Sequence, residues 1–154
     1  MEIIELKQTR ENAPNKKTAK RLERFNKLLN ELKKRELPPK MEKSINHEIK
    51  KLNNCSKMNI KLSLQIVKSQ SRITQKLAKE LQIVPKNYYR NQWLAIGMAA
   101  FGIPIGAAFG ASLGNMAFIG LGLPIGMSIG MALGAQKDKK AKKNGNQLDI
   151  DLDS

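Results

Sequence analysis

A single cysteine, Cys55, and a single histidine, His47, remove much of enzymology from consideration. One thiol cannot close an internal disulfide or build a thiolate metal cluster, and one imidazole cannot supply a multi-histidine metal site. His47-Glu48 lacks the second histidine of a zinc-binding helix, no glycine loop precedes a Lys-Ser or Lys-Thr pair, and Cys55 has no histidine partner beyond His47. The sequence therefore offers no catalytic set, and neither metal nor cofactor is expected. His47 reads as an exposed helix residue and Cys55 as a small buried or loop thiol. Aromatics are equally scarce: Phe25 is the only one before Tyr88, so a stacking platform for nucleic-acid bases is missing from the basic part of the chain.

Charge is abundant but unevenly placed. Residues 1–92 hold 23 basic and 9 acidic side chains, residues 93–136 hold none, and the last 18 residues hold five Lys and four Asp, for a total of +15. The 44-residue stretch without an ionisable group, Trp93 to Gln136, exceeds the length of about 18 apolar residues that marks a bilayer-spanning helix. As one helix it would be about 66 Å long, roughly twice a hydrocarbon core of about 30 Å. It is therefore expected to fold back, and the one strong turn signal near its middle is Gly114-Asn115. Trp93–Leu113 and Met116–Ala135 become the two spans of a helical hairpin. The alternative, a buried core hairpin of a soluble protein, would need other apolar segments to cover it, and the chain has none of that size. A secretory signal peptide is excluded by the length of the stretch and by its position deep in the chain.

The flanks set a topology. Lys86, Arg90 and the earlier basic residues precede the first span, Lys137, Lys139, Lys140, Lys142 and Lys143 follow the second, and the turn between is uncharged. The positive-inside rule then places both termini in the cytoplasm and Asn115 outside. Tyr88, Tyr89 and Trp93 gather at the entrance of the first span, where amphipathic rings favour the headgroup region.

Within the stretch lies a repeat. Gly102-Ile103-Pro104-Ile105-Gly106 returns as Gly122-Leu123-Pro124-Ile125-Gly126, and seven of the thirteen positions 102–114 match those twenty further on. Each copy carries glycines four apart, Gly102, Gly106, Gly110 and Gly114, then Gly122, Gly126, Gly130 and Gly134. That spacing returns to nearly the same helix face and predicts two grooves bare of side chains, which lets backbones approach where lipid supplies no hydrophobic drive. Pro104 and Pro124 each remove a backbone donor and predict matched bends. No Asp, Glu, Lys, Arg or His lies between them to bind an ion, which disfavours a transporter or proton pump. Small residues off the glycine line, Ala107-Ala111, Ala108-Ser112 and Ser128-Ala132, are left for neighbouring copies, so homo-oligomerisation is expected.

The region before the spans reads as basic amphipathic helices. Leu22, Phe25, Leu28, Leu29 and Leu32 form a narrow stripe with Glu23–Lys27 and Glu31–Arg35 pairs beside it. Leu37-Pro38-Pro39 ends that helix and starts another lined by Met41, Ile45, Ile49 and Leu52, with a break at Asn53-Asn54. A third pattern, Ile60, Leu64, Val67, Ser71, Thr74, Ala78 and Leu81, backed by Ile66, Ile73 and Leu77, alternates steps of four and three. The fold class is thus all-α: a two-span hairpin with Gly-x-x-x-Gly repeats behind a small bundle or coiled-coil-like cytosolic region. The expected division is 1–92, 93–136 and 137–154. The core of the first part is thin, so packing on a partner or on the bilayer stands beside independent folding.

Anionic lipid headgroups are the first partner expected for so much positive charge, at roughly 1 kcal/mol per juxtamembrane Lys or Arg. Plain solvated charge comes next and nucleic acid or the ribosome last. The tail Asp149-Ile150-Asp151-Leu152-Asp153 starts like a calcium loop without its later glycine and glutamate, and reads as a solvated acidic end or as a strand added to a partner.

The segment Gly102–Gly134, with paired Gly-x-Pro-Ile-Gly units and a Lys-rich exit, resembles the bacterial glycine-zipper membrane proteins. The resemblance covers about 45 residues. It implies close helix packing in a membrane and no particular activity. Lacking a signal peptide and a lipobox cysteine, the chain is expected in the inner membrane, unlike the outer-membrane lipoproteins that also carry such repeats. Its topology is also similar to that of two-span holins, which usually lack so long a cytosolic arm. Two functions follow as expectations: a non-enzymatic membrane adaptor whose basic arm captures a still unidentified protein or lies on the leaflet, or an oligomeric pore or membrane-perturbing effector.

Overall fold

A computed structural model describes residues 2–7, 13–55 and 59–152, the side chains of 59–61 aside. Every regular element among them is helical. The chain divides into two compact units, residues 1–84 with 148–154, and residues 85–147.

The first unit is a three-helix bundle. α1 spans Lys16–Lys33 and starts at Asn15, whose side chain accepts a hydrogen bond from the Thr18 N–H at 2.8 Å. This satisfies one of the donors that every helix start leaves open. Its buried face is the expected one, Leu22, Phe25, Leu28, Leu29 and Leu32. Lys27 pairs with Glu23 at 3.0 Å, whereas Glu31 takes Lys34, one residue nearer than the expected Arg35. α2, Pro39–Asn53, begins on a proline, whose missing N–H costs nothing in the first turn, and buries Met41, Ile45, Ile49 and Leu52. α3, Asn59–Glu80, packs against both α1 and α2.

α3 turns a different face inward from the one its stepping suggests. Leu62, Ile66, Ile73 and Leu77 are fully buried, while Leu64 and Val67 are 52% and 43% exposed. Of the remaining expected stripe, Thr74 is buried, Ala78 and Leu81 are half-buried, Ser71 is exposed, and the side chain of Ile60 lies outside the described residues. Polar partners explain the choice. The buried face carries Ser63 and Ser69. Arg21 of α1 donates to the Ser63 carbonyl and hydroxyl at 3.2 and 2.5 Å, and the Ser69 hydroxyl donates to Glu48 of α2 at 2.7 Å. Rotating α3 to bury Leu64 and Val67 would take the Ser63 bonds from Arg21 and the Ser69 bond from Glu48, leaving Glu48 to Lys51 alone. Each broken bond to a charged group is a loss of about 1–3 kcal/mol.

Residues near both termini thicken this core. Ile3 is buried on the bundle, and so are Leu148 and Ile150 from the tail, where the Leu148 N–H donates to the Val84 carbonyl at 2.8 Å and Arg24 to the Leu152 carbonyl at 3.3 Å. The tail expected as a solvated acidic end is thus docked through its apolar alternation, with Asp149 left exposed; Asp153 and Ser154 lie outside the described residues.

The second unit is a helical hairpin. α4 (Tyr88–Gly97), a π-helical turn (Met98–Gly102) and α5 (Ile103–Ser112) form one rod, and a 3₁₀ turn (Met116–Phe118) leads into α6 (Ile119–Lys143). Both rods are long and apolar enough to cross a membrane, with stretches of mean hydropathy 1.8. The turn falls at Gly114-Asn115. Gly114 adopts φ +65°, and the Asn115 side chain accepts from the Ala117 N–H at 2.9 Å. The three-part division expected from charge is redrawn: α4 enters the hairpin without a break at 92, the Lys-rich exit is the end of α6, and the tail joins the first unit.

Candidate functional site

Between Tyr88 and Gln136 every buried residue is a glycine. Gly97, Gly102 and Gly106 on one rod face Gly122, Gly126 and Gly130 on the other, while Gly134 lies on the backbone of Tyr89 and Arg90 and Gly110 on Met116. A Cβ added at Gly122 would stand 2.6 Å from Gly106 Cα, at Gly126 2.6 Å from Gly102 Cα, at Gly97 2.7 Å from Gly130 Cα, and at Gly134 2.5 Å from Arg90 Cα. Real Cβ atoms do not come so close, so backbone lies directly on backbone. Such contact allows dispersion and Cα–H···O interactions to hold helices that no side chain joins.

Two of the glycines depart from the expected pattern. Gly114 meets nothing within 4 Å; it is a turn residue and takes no part in the seam. Gly97, outside the expected set, replaces it at the other end. Gly97 and Gly102 are five apart, and five does not return to the same face of an α-helix. The π turn between them does bring them onto one face, because its bonds run over five residues, as from the Ile103 N–H to the Met98 carbonyl. Gly110 is looser, with Met116 Sδ at 3.2 Å from its added Cβ, and Gly120 faces open space.

The two prolines are matched in sequence but not in structure. Pro104 is the second residue after the π turn, in the first turn of α5, so its missing N–H falls where the helix has just been wound wider. Pro124 sits inside an uninterrupted α6, where the i−4 carbonyl it leaves unbonded belongs to Gly120, and Ser128 Oγ donates to the Pro124 carbonyl at 2.9 Å. Large apolar side chains point away from the seam. Phe101, Ile103, Phe109, Leu113, Leu121 and Ile125 are all more than a third exposed. Ala108, Ala111, Ser112 and Ala132 are exposed with them.

At the open end the seam closes on an acidic group that the sequence did not single out. Asp138 of α6 is 7% exposed and accepts the Tyr89 N–H at 3.0 Å on Oδ1 and the Arg90 N–H at 2.9 Å on Oδ2. Asn87, the residue before α4, sits at φ +60° and makes no capping bond with its side chain. Asp138 is therefore the N-cap of α4, supplied from the other helix, where a carboxylate also meets the positive end of the helix dipole. Its one sequence signal is that it is the only acidic residue in a run of lysines. Around it, Lys137 Nζ lies 5.0 Å from the Trp93 ring centre and 5.9 Å from that of Tyr89, and Tyr88 packs edge-on against Tyr89 at 5.3 Å. The structure thus gathers Tyr88, Tyr89, Arg90, Trp93 and Lys137 at one end of the hairpin. Lys86, Lys139 and Lys140 are exposed near the same residues in sequence.

Chemically the hairpin offers packing and no proton carrier, since no ionisable side chain lies between Arg90 and Lys137. Compared with known protein families, curated proteins and solved structures, the chain shows no significant match.

Proposed function

We propose that the protein is a small integral membrane protein of the bacterial inner membrane, a non-enzymatic adaptor in which the glycine-packed hairpin anchors a basic helical domain on the cytoplasmic side. One observation carries this reading. A hairpin that buries only glycine between Tyr88 and Gln136, and whose Ile, Leu and Phe side chains face outward there, is stable only where the surroundings are themselves apolar. The tail supports two crossings rather than one, because Leu148 and Ile150 share a core with α1–α3, so the segments flanking the hairpin occupy one compartment. The positive flanks make that compartment the cytoplasm. An anionic partner is supported by a cleft of about 550 Å³ between α2 and α3, lined by Met41, Ile45 and Ile73 and by Lys40, Lys43, Lys76 and Lys79, with the paired Arg72 and Glu48 also in its wall. Charge beside apolar lining suits a lipid headgroup better than a nucleic-acid backbone.

The second reading, an oligomeric pore or membrane-perturbing effector, has less support. The glycines it needs for ring closure are spent inside each hairpin, which leaves the alanine and serine positions for neighbours. The test uses Cys55→Ser chains with one new cysteine, at Asn115 or at Gln75. In intact cells a membrane-impermeant maleimide is expected to label position 115 and not 75, and alkaline extraction to leave the chain in the membrane. Labelling of neither site, or release at high pH, sinks the reading.

A further inference from the structure

The cleft between α2 and α3 is where the bundle leaves its lysines without acids. Elsewhere they are paired: Lys27 with Glu23, Lys34 with Glu31 and Lys51 with Glu48. Around the cleft that pattern stops. Lys40, Lys43 and Lys79 make no hydrogen bond or ion pair among the described residues, and Lys76 Nζ donates to a hydroxyl, that of Ser44, at 2.9 Å.

The pairing of the two helices gathers these cations. Lys76 meets Ser44, while Glu48 accepts from Ser69 at 2.7 Å and lies 3.6 Å from Arg72, so α2 and α3 run antiparallel. Residues 40, 43 and 47 share one face of α2, and 72, 76 and 79 share one face of α3, because residues three and four apart are neighbours on a helix. The register therefore sets the Lys40–Lys43 end of α2 beside the Lys76–Lys79 end of α3. Four ammonium groups line one opening of about 550 Å³, within the range of about 300–1,000 Å³ that holds a small ligand. Met41, Ile45 and Ile73 in the same wall are at most 2% exposed and belong to the core, which fixes the spacing of the two lysine edges.

The nearby acids do not answer this charge. Glu42 lines a different cleft, with Ile3, Leu32 and Arg35, and Glu80 lies outside the lining. Glu48 is in the wall, but Ser69, Lys51 and Arg72 already engage it. Cations held at fixed positions without counter-charges suit an anion with several oxygens, and a phosphate can take a charge-assisted hydrogen bond from each edge. Two features select a phosphate borne by a lipid. Seven residues of chain separate α3, which carries Lys76 and Lys79, from α4 and the first apolar rod, so the cleft belongs to a juxtamembrane basic segment. The lining also holds no Phe, Tyr or Trp on which a nucleotide base would stack.

We propose that the α2/α3 cleft binds the phosphate headgroup of one anionic phospholipid of the cytoplasmic leaflet, held by Lys40, Lys43, Lys76 and Lys79. This replaces diffuse attraction with a single site. It rests on the membrane-anchored reading above, which brings the bundle to such a leaflet.

The lone histidine, His47, is exposed in the same cleft and reports on it. The full chain in neutral detergent micelles is titrated at constant pH with phosphatidylglycerol or phosphatidylcholine, and the His47 ring signals are followed by proton–carbon NMR. Phosphatidylglycerol is expected to shift them saturably, with one lipid per chain by native mass spectrometry, and phosphatidylcholine to bind at least tenfold more weakly. Lys40→Gln, Lys76→Gln, Lys79→Gln together are expected to lower the affinity for phosphatidylglycerol at least tenfold. Lys16→Gln, Lys17→Gln, Lys20→Gln remove the same charge from exposed positions of α1 and are expected to leave it within about twofold. Should the first variant lose its melting transition, Lys40→Glu takes its place, since a carboxylate in the first turn of α2 favours the helix while reversing a charge in the cleft. Equal response to the two lipids, an unchanged affinity in the cleft variant or an equal loss in the α1 variant would overturn the inference. So would a His47 shift saturated more tightly by glycerol phosphate, an oligonucleotide or an acidic peptide, which would assign the cleft to that anion. Maleimide labelling at position 115 and alkaline extraction are read independently of these titrations, so failure here and failure of the membrane reading are told apart.

Discussion

The two units of this chain use the same secondary structure with opposite interiors. In α1–α3 the interior is built of large side chains, Phe25, Leu28, Leu32, Ile45 and Ile66 among them, and charge covers the outside. In the hairpin, between Tyr88 and Gln136, the interior is glycine alone and the large apolar side chains are outside. The first arrangement draws on the expulsion of water from apolar surface, about 25 cal/mol per Å². The second gains little from burial and relies on contact at close range, which is the way helices associate when the solvent is as apolar as they are. The contrast teaches that burial of apolar area is no general measure of a helix pair's stability: what is buried depends on what surrounds it.

The hairpin is the easier of the two to break. Gly126→Ile drives a branched side chain into the Gly102 backbone, with no flexible neighbour to give way, and is expected to separate the rods at a cost above about 3 kcal/mol. Gly120→Ala, two turns away in open space, is expected to be neutral or to stabilise by up to about 1 kcal/mol. Unfolding of the hairpin in micelles, followed by far-UV circular dichroism, compares them directly; equal effects would mean that the seam does not hold the rods together. In the bundle the reverse rule applies. Phe25→Ala is expected to cost about 3–5 kcal/mol, lowering the melting temperature of the bundle while the hairpin's helicity persists.

Smaller effects sharpen the comparison at two buried carboxylates. Asp138→Ala leaves the Tyr89 and Arg90 amides without their acceptor and is expected to cost about 1–2 kcal/mol, with Asp138→Asn intermediate; hydrogen exchange at those two amides is the direct readout. Burial pushes the Glu48 carboxyl up, but the hydrogen bonds from Ser69 and Lys51 and the nearby Arg72 outweigh it and hold the group below the usual glutamate range. A depressed carboxylate pKa stabilises the fold above its unfolded value of about 4.3, and that contribution is lost as pH falls through the lower folded value. Glu48→Gln is therefore expected to flatten the fall in the bundle's stability measured between pH 6 and pH 3.

The asymmetry between the units extends to how much could be read in advance. The hairpin was nearly all legible: a charge-free run too long for one crossing, a Gly-Asn pair at its middle, and glycines at a fixed step. Gly97 and Gly114 exchanged roles because a spacing of five is invisible to α-helical counting, and it takes the π turn to bring Gly97 onto the seam. Asp138 was hidden because capping across helices depends on a neighbour 48 residues away, Arg90, and leaves no local trace. In the bundle the faces of α1 and α2 followed their periodicity, while α3 carried two apolar stripes and its choice was made by Arg21 and Glu48, on other helices.

By itself the sequence determined everything that depends on composition and on short-range periodicity: the helices, the position of the turn, the glycine faces and the separation of charge from apolar surface. These are set by each residue's neighbours along the chain, within one or two turns. Only the tertiary structure decided which stripe of α3 is inside, which carboxylate caps α4, and that Ile3 and the Leu148–Leu152 stretch lie on the bundle. Those outcomes depend on polar groups finding partners from distant parts of the chain. The cost of leaving such groups unbonded is paid in three dimensions, and no local pattern records it.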